Sequence, residues 1–295
     1  MAEAPLSSRG EIAAKDVGHG EVRPESLNEA YGREAKVLTH FAGRRRWSIS
    51  ILSLIIGLAI WEIVWAFGLL PPTLLPSIQD VVRVGIGVAV EGFQGVTLAQ
   101  DVAISLLRVG EGFLLAVVIG VPLGLLIGIS GTMESIFDPY VQFLRPLPPL
   151  GYYTLLIVWF GIGELSKIAL LFLTAIPIII VSSAAGVRSI DRDLLLATSS
   201  LGLKGPKMFR FVVFPASLPA IFIGLRLALG ATFGSLVAAE LIASNSGLGW
   251  LVLTAGDYIR TNIVLAGVIV IGLIAIALDR LMVVLERQLV PWAGR

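Results

Sequence analysis

Cysteine is missing from all 295 residues, which excludes disulfides, thiolate chemistry and Cys-ligated metals while leaving the compartment open. Histidine is almost missing: His19 and His40 both precede residue 46, so imidazole-held haem or zinc has no ligands in the rest of the chain. Charge is scarce too. Charged residues make up 15% of the sequence, against roughly 25% in a soluble domain, too few to cover a globule of this length. Nor does either sign dominate. The 22 Lys and Arg against 21 Asp and Glu give a formal charge of +1, which implies no nucleic-acid surface. What the chain holds in excess is apolar: 56% hydrophobic residues and a mean hydropathy of +0.89. Length alone allows one or two domains; composition points to the bilayer.

The charge is unevenly spread. Residues 1–46 hold 8 Lys and Arg and 7 Asp and Glu, and the other 249 residues hold 14 of each. The first stretch has no apolar periodicity and no hydrophobic signal core. It reads as a solvated, largely disordered tail that serves as a tether or weak docking segment. A membrane domain is expected over 47–295. Long apolar runs near the ~20 residues of a spanning helix place six spans at 49–70, 102–129, 136–160, 167–187, 215–243 and 262–285. In lipid the backbone must satisfy itself, so these are helices; the short alternating segments of a transmembrane barrel do not occur.

Basic residues orient the chain. Arg44, Arg45 and Arg46 precede the first span, and Arg188, Arg192, Lys204, Lys207 and Arg210 lie between spans four and five. Both groups are expected on the cytoplasmic side, as are the two termini, with Arg287 and Arg295 near the end. Pro71-Pro72 stops the first helix, and residues 77–92 mix apolar and charged side chains as a short interfacial helix does. Gly120, Gly124 and Gly128 form a small-residue stripe that lets a neighbouring helix approach. Pro146, Pro148 and Pro149 interrupt the third span and bend it.

Residues 191–215 read DRDLLLATSSLGLKGPKMFRFVVFP. A short helix bearing Leu194, Leu195, Leu196 and Leu201 ends at Gly202, a basic turn follows, and Pro215 opens the next span. Too short to cross, such an element needs a lipid surface or a partner's groove to cover its leucines.

This stretch resembles the coupling loop of ATP-binding-cassette importer permeases, whose pattern is Glu-Ala-Ala, three residues, Gly, nine residues, Ile-x-Leu-Pro. Leu196, Ala197 and Thr198, then Gly202, then Val212 to Pro215 stand at those positions. The Gly-to-Pro spacing is kept, and Leu196 replaces the motif's Glu. LRPLPPLGYYTLLIVWFGIGELSKI (144–168), LPAIFIGLRLALG (218–230), SLVAAELIASNSGLG (235–249) and RQLVPWAGR (287–295) are similar to the subgroup that carries taurine, aliphatic sulfonates, nitrate and bicarbonate, taurine foremost. The likeness covers 47–295.

The resemblance implies an all-α membrane protein, the transmembrane domain of a type I importer, with about six spanning helices and a cytoplasmic coupling helix at about 191–214. It implies a plasma-membrane permease that imports a small sulfonate, most of all taurine, by alternating access. Nitrate, bicarbonate or another sulfonate is the alternative within the family. The implied partners are a cytoplasmic ATPase dimer holding ATP and Mg, an extracytoplasmic substrate-binding protein, a second copy of the permease, and membrane lipid; no nucleic acid is involved. The permease itself is expected to hold no cofactor, no metal and no catalytic residue. Coupling falls to Asp193, Leu195, Leu196, Ala197, Thr198, Leu201, Gly202, Leu203, Lys204, Pro206 and Lys207. With Leu at 196, docking is expected to be more hydrophobic, with Asp191 and Asp193 close by and Lys204 and Lys207 at the rim. No GxxxxGK[ST] phosphate loop occurs; Gly161 to Lys167 suggests one only superficially, lacking Gly before the Lys.

Polar groups within spans are costly and mark pathways. Arg145, Tyr152, Tyr153, Thr232, Ser235 and Glu240 are the pathway candidates. All but Glu240 have a plainer reading: a helix-end arginine, packed aromatics, and hydroxyls bonded to their own helix. Glu62 reads as an interface anchor, and Glu164 and Lys167 as a local pair. Arg226 and Glu240, fourteen residues apart on one helix, are ~21 Å apart along its axis and cannot pair. Asn245, Ser246, Gly247 and Gly249 read as an outer turn facing the binding protein. Outside the family, a stand-alone secondary transporter or channel calls for internal repeats or a midplane acidic cluster, and neither is clear.

Overall fold

The computed structural model describes residues 49–292. The expected tail over 1–46, its two histidines and the Arg44–Arg46 cluster lie outside them, as does Arg295. The chain divides into two units, residues 1–63 and 64–295. The described part of the first belongs to helix α1 (Ile49–Ala66), which is long and apolar enough to cross a membrane.

The second unit is helical: α2 (Ile78–Glu91), α3 (Leu98–Ile129), α4 (Gly131–Leu144), α5 (Pro149–Phe160), α6 (Glu164–Arg188), α7 (Arg192–Ser200), α8 (Pro206–Ala243), α9 (Leu248–Asp257) and α10 (Thr261–Leu289). Among the described residues five helices have membrane-spanning length and hydropathy: α1, α3, α6, α8 and α10.

The expected third span is corrected by the structure: 136–160 is two helices rather than one. Arg145 to Pro148 separates α4 from α5, because Pro146, Pro148 and Pro149 have no N–H to continue the ladder. Pro149 then stands at the first position of α5, where a missing N–H costs nothing. The expected start of the fifth span at Pro215 is also corrected. Helix begins nine residues earlier, at Pro206, and runs through a π-helical turn over Phe209–Val213. That wider turn accommodates Pro215, which cannot donate to the ladder.

The core lies where α3, α6 and α8 pack. Phe113, Ala116 and Leu125 of α3 meet Leu171, Ile176, Ile179 and Ile180 of α6, and Ile221, Leu225, Leu229 and Phe233 of α8. The glycine stripe faces α6 as its spacing suggests. A Cβ on Gly124 would lie 2.5 Å from the carbonyl oxygen of Ile180, and one on Gly128 2.7 Å from Cβ of Val187. Without side chains there, the two backbones close to a separation that dispersion rewards and that water exclusion alone would not produce in lipid. Smaller clusters dock α2 on α9 and α10 through Val88, Leu251 and Ile263, and α5 on α6 through Tyr153, Leu156 and Leu170.

Candidate functional site

Two features stand apart from the apolar packing, one at each end of the α3–α6–α8 bundle. At the end where α6 stops and α8 starts lies α7. Asp191 caps it, its side chain accepting the N–H of Asp193 at 2.9 Å, and the chain leaves through Gly202, whose φ of 86° lies in the left-handed region that favours glycine. None of the nine residues of α7 is buried. Leu196 is 66% exposed and Leu201 81%, with Leu194 also exposed. Asp193, Leu203, Lys204, Pro206 and Lys207 surround them, and Leu195, Ala197 and Thr198 complete the helix, the Thr198 hydroxyl turned back to the carbonyl of Leu194 at 2.8 Å. Exposed leucines on a helix with its own cap make a surface that is pre-formed and uncovered, which suits apolar docking.

At the opposite end the bundle is tied by charge. Arg108 of α3, 3% exposed, donates from Nη1 to Oε1 of Glu240 on α8 at 2.7 Å and to the carbonyl of Ser246 at 3.0 Å. Its Nε and Nη2 meet the two carboxylate oxygens of Glu164, the first residue of α6, at 2.5 and 2.7 Å. Lys167 donates to Glu164 at 3.1 Å and to Ser244 at 3.2 Å. Glu240 is wholly buried and also accepts from the Ser105 hydroxyl at 2.8 Å. This fork-to-fork pairing is the strong, directional kind that arginine makes with carboxylates.

The same groups hold the start of α9. The N–H groups of Gly247, Leu248 and Gly249 donate to Asp101 at 2.7 Å, Ser105 at 3.0 Å and Glu240 at 2.9 Å. These are donors that a helix leaves unpaired at its first turn, and carboxylates there also complement its dipole. Gly247 has no alternative: its φ is 108°, and a Cβ would collide with the Glu240 carboxylate. So the turn 244–249 is largely folded onto α3 and α8, with Gly247 and Gly249 buried and Asn245 left exposed.

The pathway candidates separate. Glu240, Thr232 and Tyr153 are buried within the chain, and the Thr232 hydroxyl is spent on the carbonyl of Ala228 at 2.7 Å. Tyr152 and Ser235 are half-buried and Arg145 is exposed, its guanidinium 3.4 Å from the Gln142 side-chain oxygen. They do not converge on one point. Arg226 pairs instead with Asp279 of α10 at 2.7 Å, and Glu164 with Lys167 as expected. Asp101, Ser105 and Arg108 are not among the sequence candidates. Arg108 carried the available signal, as a lone arginine inside an apolar run is costly unless paired. Among the described residues no metal-holding cluster of His, Cys, Asp or Glu occurs.

Five long apolar helices, a bundle closed by small residues and an uncovered helix between two of them are the features of a multi-pass membrane protein. Residues 120–291 match the family described as binding-protein-dependent transport system inner membrane component, and the chain belongs to that family: it is a multi-pass inner-membrane permease of ATP-binding-cassette importers, of the taurine and sulfonate type, and a non-catalytic component. It is 41% identical to the taurine transport system permease protein TauC of Escherichia coli K12 over 85% of this chain and 91% of that one. It is 34% identical to the putative aliphatic sulfonates transport permease protein SsuC of Bacillus subtilis 168 over 92% and 98%. In three dimensions it is similar to an inward-facing form of the MetNI methionine transporter, with a TM-score of 0.53, 22% identity, and coverage of 63% of this chain and 94% of that chain, which concerns the fold alone.

Proposed function

We propose that this permease imports a small organosulfonate, taurine foremost, and that a separate ATPase drives it through α7. The exposure of Leu194, Leu196 and Leu201 carries this reading: a nine-residue helix between two spans presents an apolar face that its own chain leaves open. An ATPase groove covers that face, Asp193 and the carboxylate of Asp191 keep an acidic contact at one edge, and Lys204 and Lys207 sit at the other. Leu at 196, in place of the family's Glu, makes the contact more hydrophobic. The positive-inside bias supports α7 and both termini in the cytoplasm, and hence the charge-tied end on the outside, where the binding protein delivers substrate.

The pathway runs between this chain and a second copy, lined in part by Arg145, Tyr152 and Ser235. Tyr153, Thr232 and Glu240 act behind it, fixing the helices. ATP and Mg sit on the ATPase; closure of its dimer moves α7, and the α3–α6–α8 bundle follows as a body because its core and charge tie leave it little internal slack. Taurine is supported by the likeness to TauC over 85% of this chain and 91% of that one. The test is uptake of labelled taurine by vesicles holding permease, ATPase and binding protein, with other sulfonates, nitrate and bicarbonate as competitors. Competition by sulfonates alone supports the assignment; stronger competition by nitrate or bicarbonate overturns taurine and leaves the permease reading standing.

A further inference from the structure

A groove between α3 and the first turns of α8 has no part in the foregoing. It encloses about 550 Å³, within the roughly 300–1,000 Å³ of ligand clefts. Its walls are Val121, Leu125, Leu126 and Ile129 on one side and Phe209 and Phe214 on the other. Two backbone irregularities shape it. Pro122 sits inside α3 and leaves a carbonyl one turn earlier without its N–H partner. Across the groove the π-helical turn Phe209–Val213 widens α8, a rare form that gathers at functional sites.

Arg210 is the one charged residue lining the groove. Its guanidinium lies 5.9 Å from the centre of the Phe211 ring, and among the described residues no carboxylate pairs with it. Walls this apolar accept hydrocarbon, and a free guanidinium at the mouth accepts an anion. A molecule that joins the two is a phospholipid with a negative headgroup. The mouth lies near the last residue of α3 and four residues into α8, which is the headgroup level for helices that span. Basic sites between helices at the cytoplasmic face bind such headgroups.

We propose that this groove is a binding site for one anionic phospholipid, an acyl chain lying along Leu125 and Phe214 and the phosphate on Arg210. The leaflet follows from the orientation proposed above; the existence of the site does not. Because the lipid would bridge α3 to the segment that leads out of α7, it would couple membrane composition to the proposed movement of α7.

The test uses the full-length permease in mixed micelles with equal phosphatidylglycerol and phosphatidylcholine, bound lipid being counted by native mass spectrometry. The wild type should retain phosphatidylglycerol preferentially. Arg210→Gln should lower that preference about fivefold, as expected for one basic residue at a surface, and Arg210→Lys should keep most of it. Leu125→Trp, which fills the groove with the charge intact, should release the lipid. Equal retention of both lipids by the wild type, or an unchanged preference in Arg210→Gln, overturns the proposal. So does a photo-reactive side chain at Leu126 that captures peptide, from this chain or a second copy, instead of lipid. Labelling Leu201→Cys with an impermeant maleimide from each side of the membrane reads the orientation separately, and the cysteine-free background makes that label unique.

Discussion

Arg108 brings a rigid fork of N–H donors to the place where α3, α6 and α8 come together, and uses it on Glu240, Glu164 and the carbonyl of Ser246. In a dry environment such a tie is worth little against well-packed leucines, but breaking one side of it is expensive. Arg108→Leu should therefore destabilise the permease by about 3–5 kcal/mol, because the Glu240 carboxylate is left buried without its counter-charge. Arg108→Leu with Glu240→Leu should recover part of that loss. Thermal unfolding of the four species in detergent measures the coupling; strictly additive losses would show that the two residues act independently. A second expectation concerns Gly247. Gly247→Ala should cost more than an ordinary surface change, since it meets both a left-handed φ and the Glu240 carboxylate. Tyr153 and Thr232 were visible in the sequence only as polar groups at membrane depth. Their burial depends on which neighbours α5 and α8 have, which no local pattern encodes. Arg108 went unmarked because its partners lie 56 and 132 positions away, and a carboxylate supplied from such a distance leaves no trace near the arginine.

At the scale of elements, hydropathy located the long helices well. Expected spans of 102–129, 167–187 and 262–285 compare with Leu98–Ile129, Glu164–Arg188 and Thr261–Leu289. The missing first turns are the ones that carry Asp101 and Glu164, charges that lower hydropathy in a sequence window; in the fold Glu164 pairs with Arg108 and Lys167, and Asp101 accepts the N–H of Gly247. The third span was legible as irregular and illegible as two helices, since prolines announce a break without saying whether the helix bends or stops. Glycine spacing on α3 did foretell a close helix contact, and this gives a clean comparison. Gly124→Ala should destabilise by about 1–3 kcal/mol through overpacking against Ile180. Gly110→Ala, on the same helix with nothing within 4 Å, should be neutral or stabilising by the helix propensity of alanine. Unfolding midpoints of the two variants check this; equal losses would contradict the packing account.

For the molecule as a whole, the two ends of the bundle differ in kind. One end is tied by ion pairs around the buried Arg108 and by hydrogen bonds that hold the start of α9, and the other carries an exposed leucine helix that the chain leaves through Gly202. The proposed drive through α7 uses this asymmetry, with the open end as the place where a partner takes hold. Uptake of labelled taurine into vesicles, driven by ATP through the partner ATPase, is the measurement that bears most directly on this. Leu196→Asp with Leu201→Asp should abolish both ATPase co-purification and ATP-dependent uptake, while the permease keeps its unfolding midpoint. Uptake that persists without the ATPase, or that survives these two substitutions with the ATPase still attached, would contradict it.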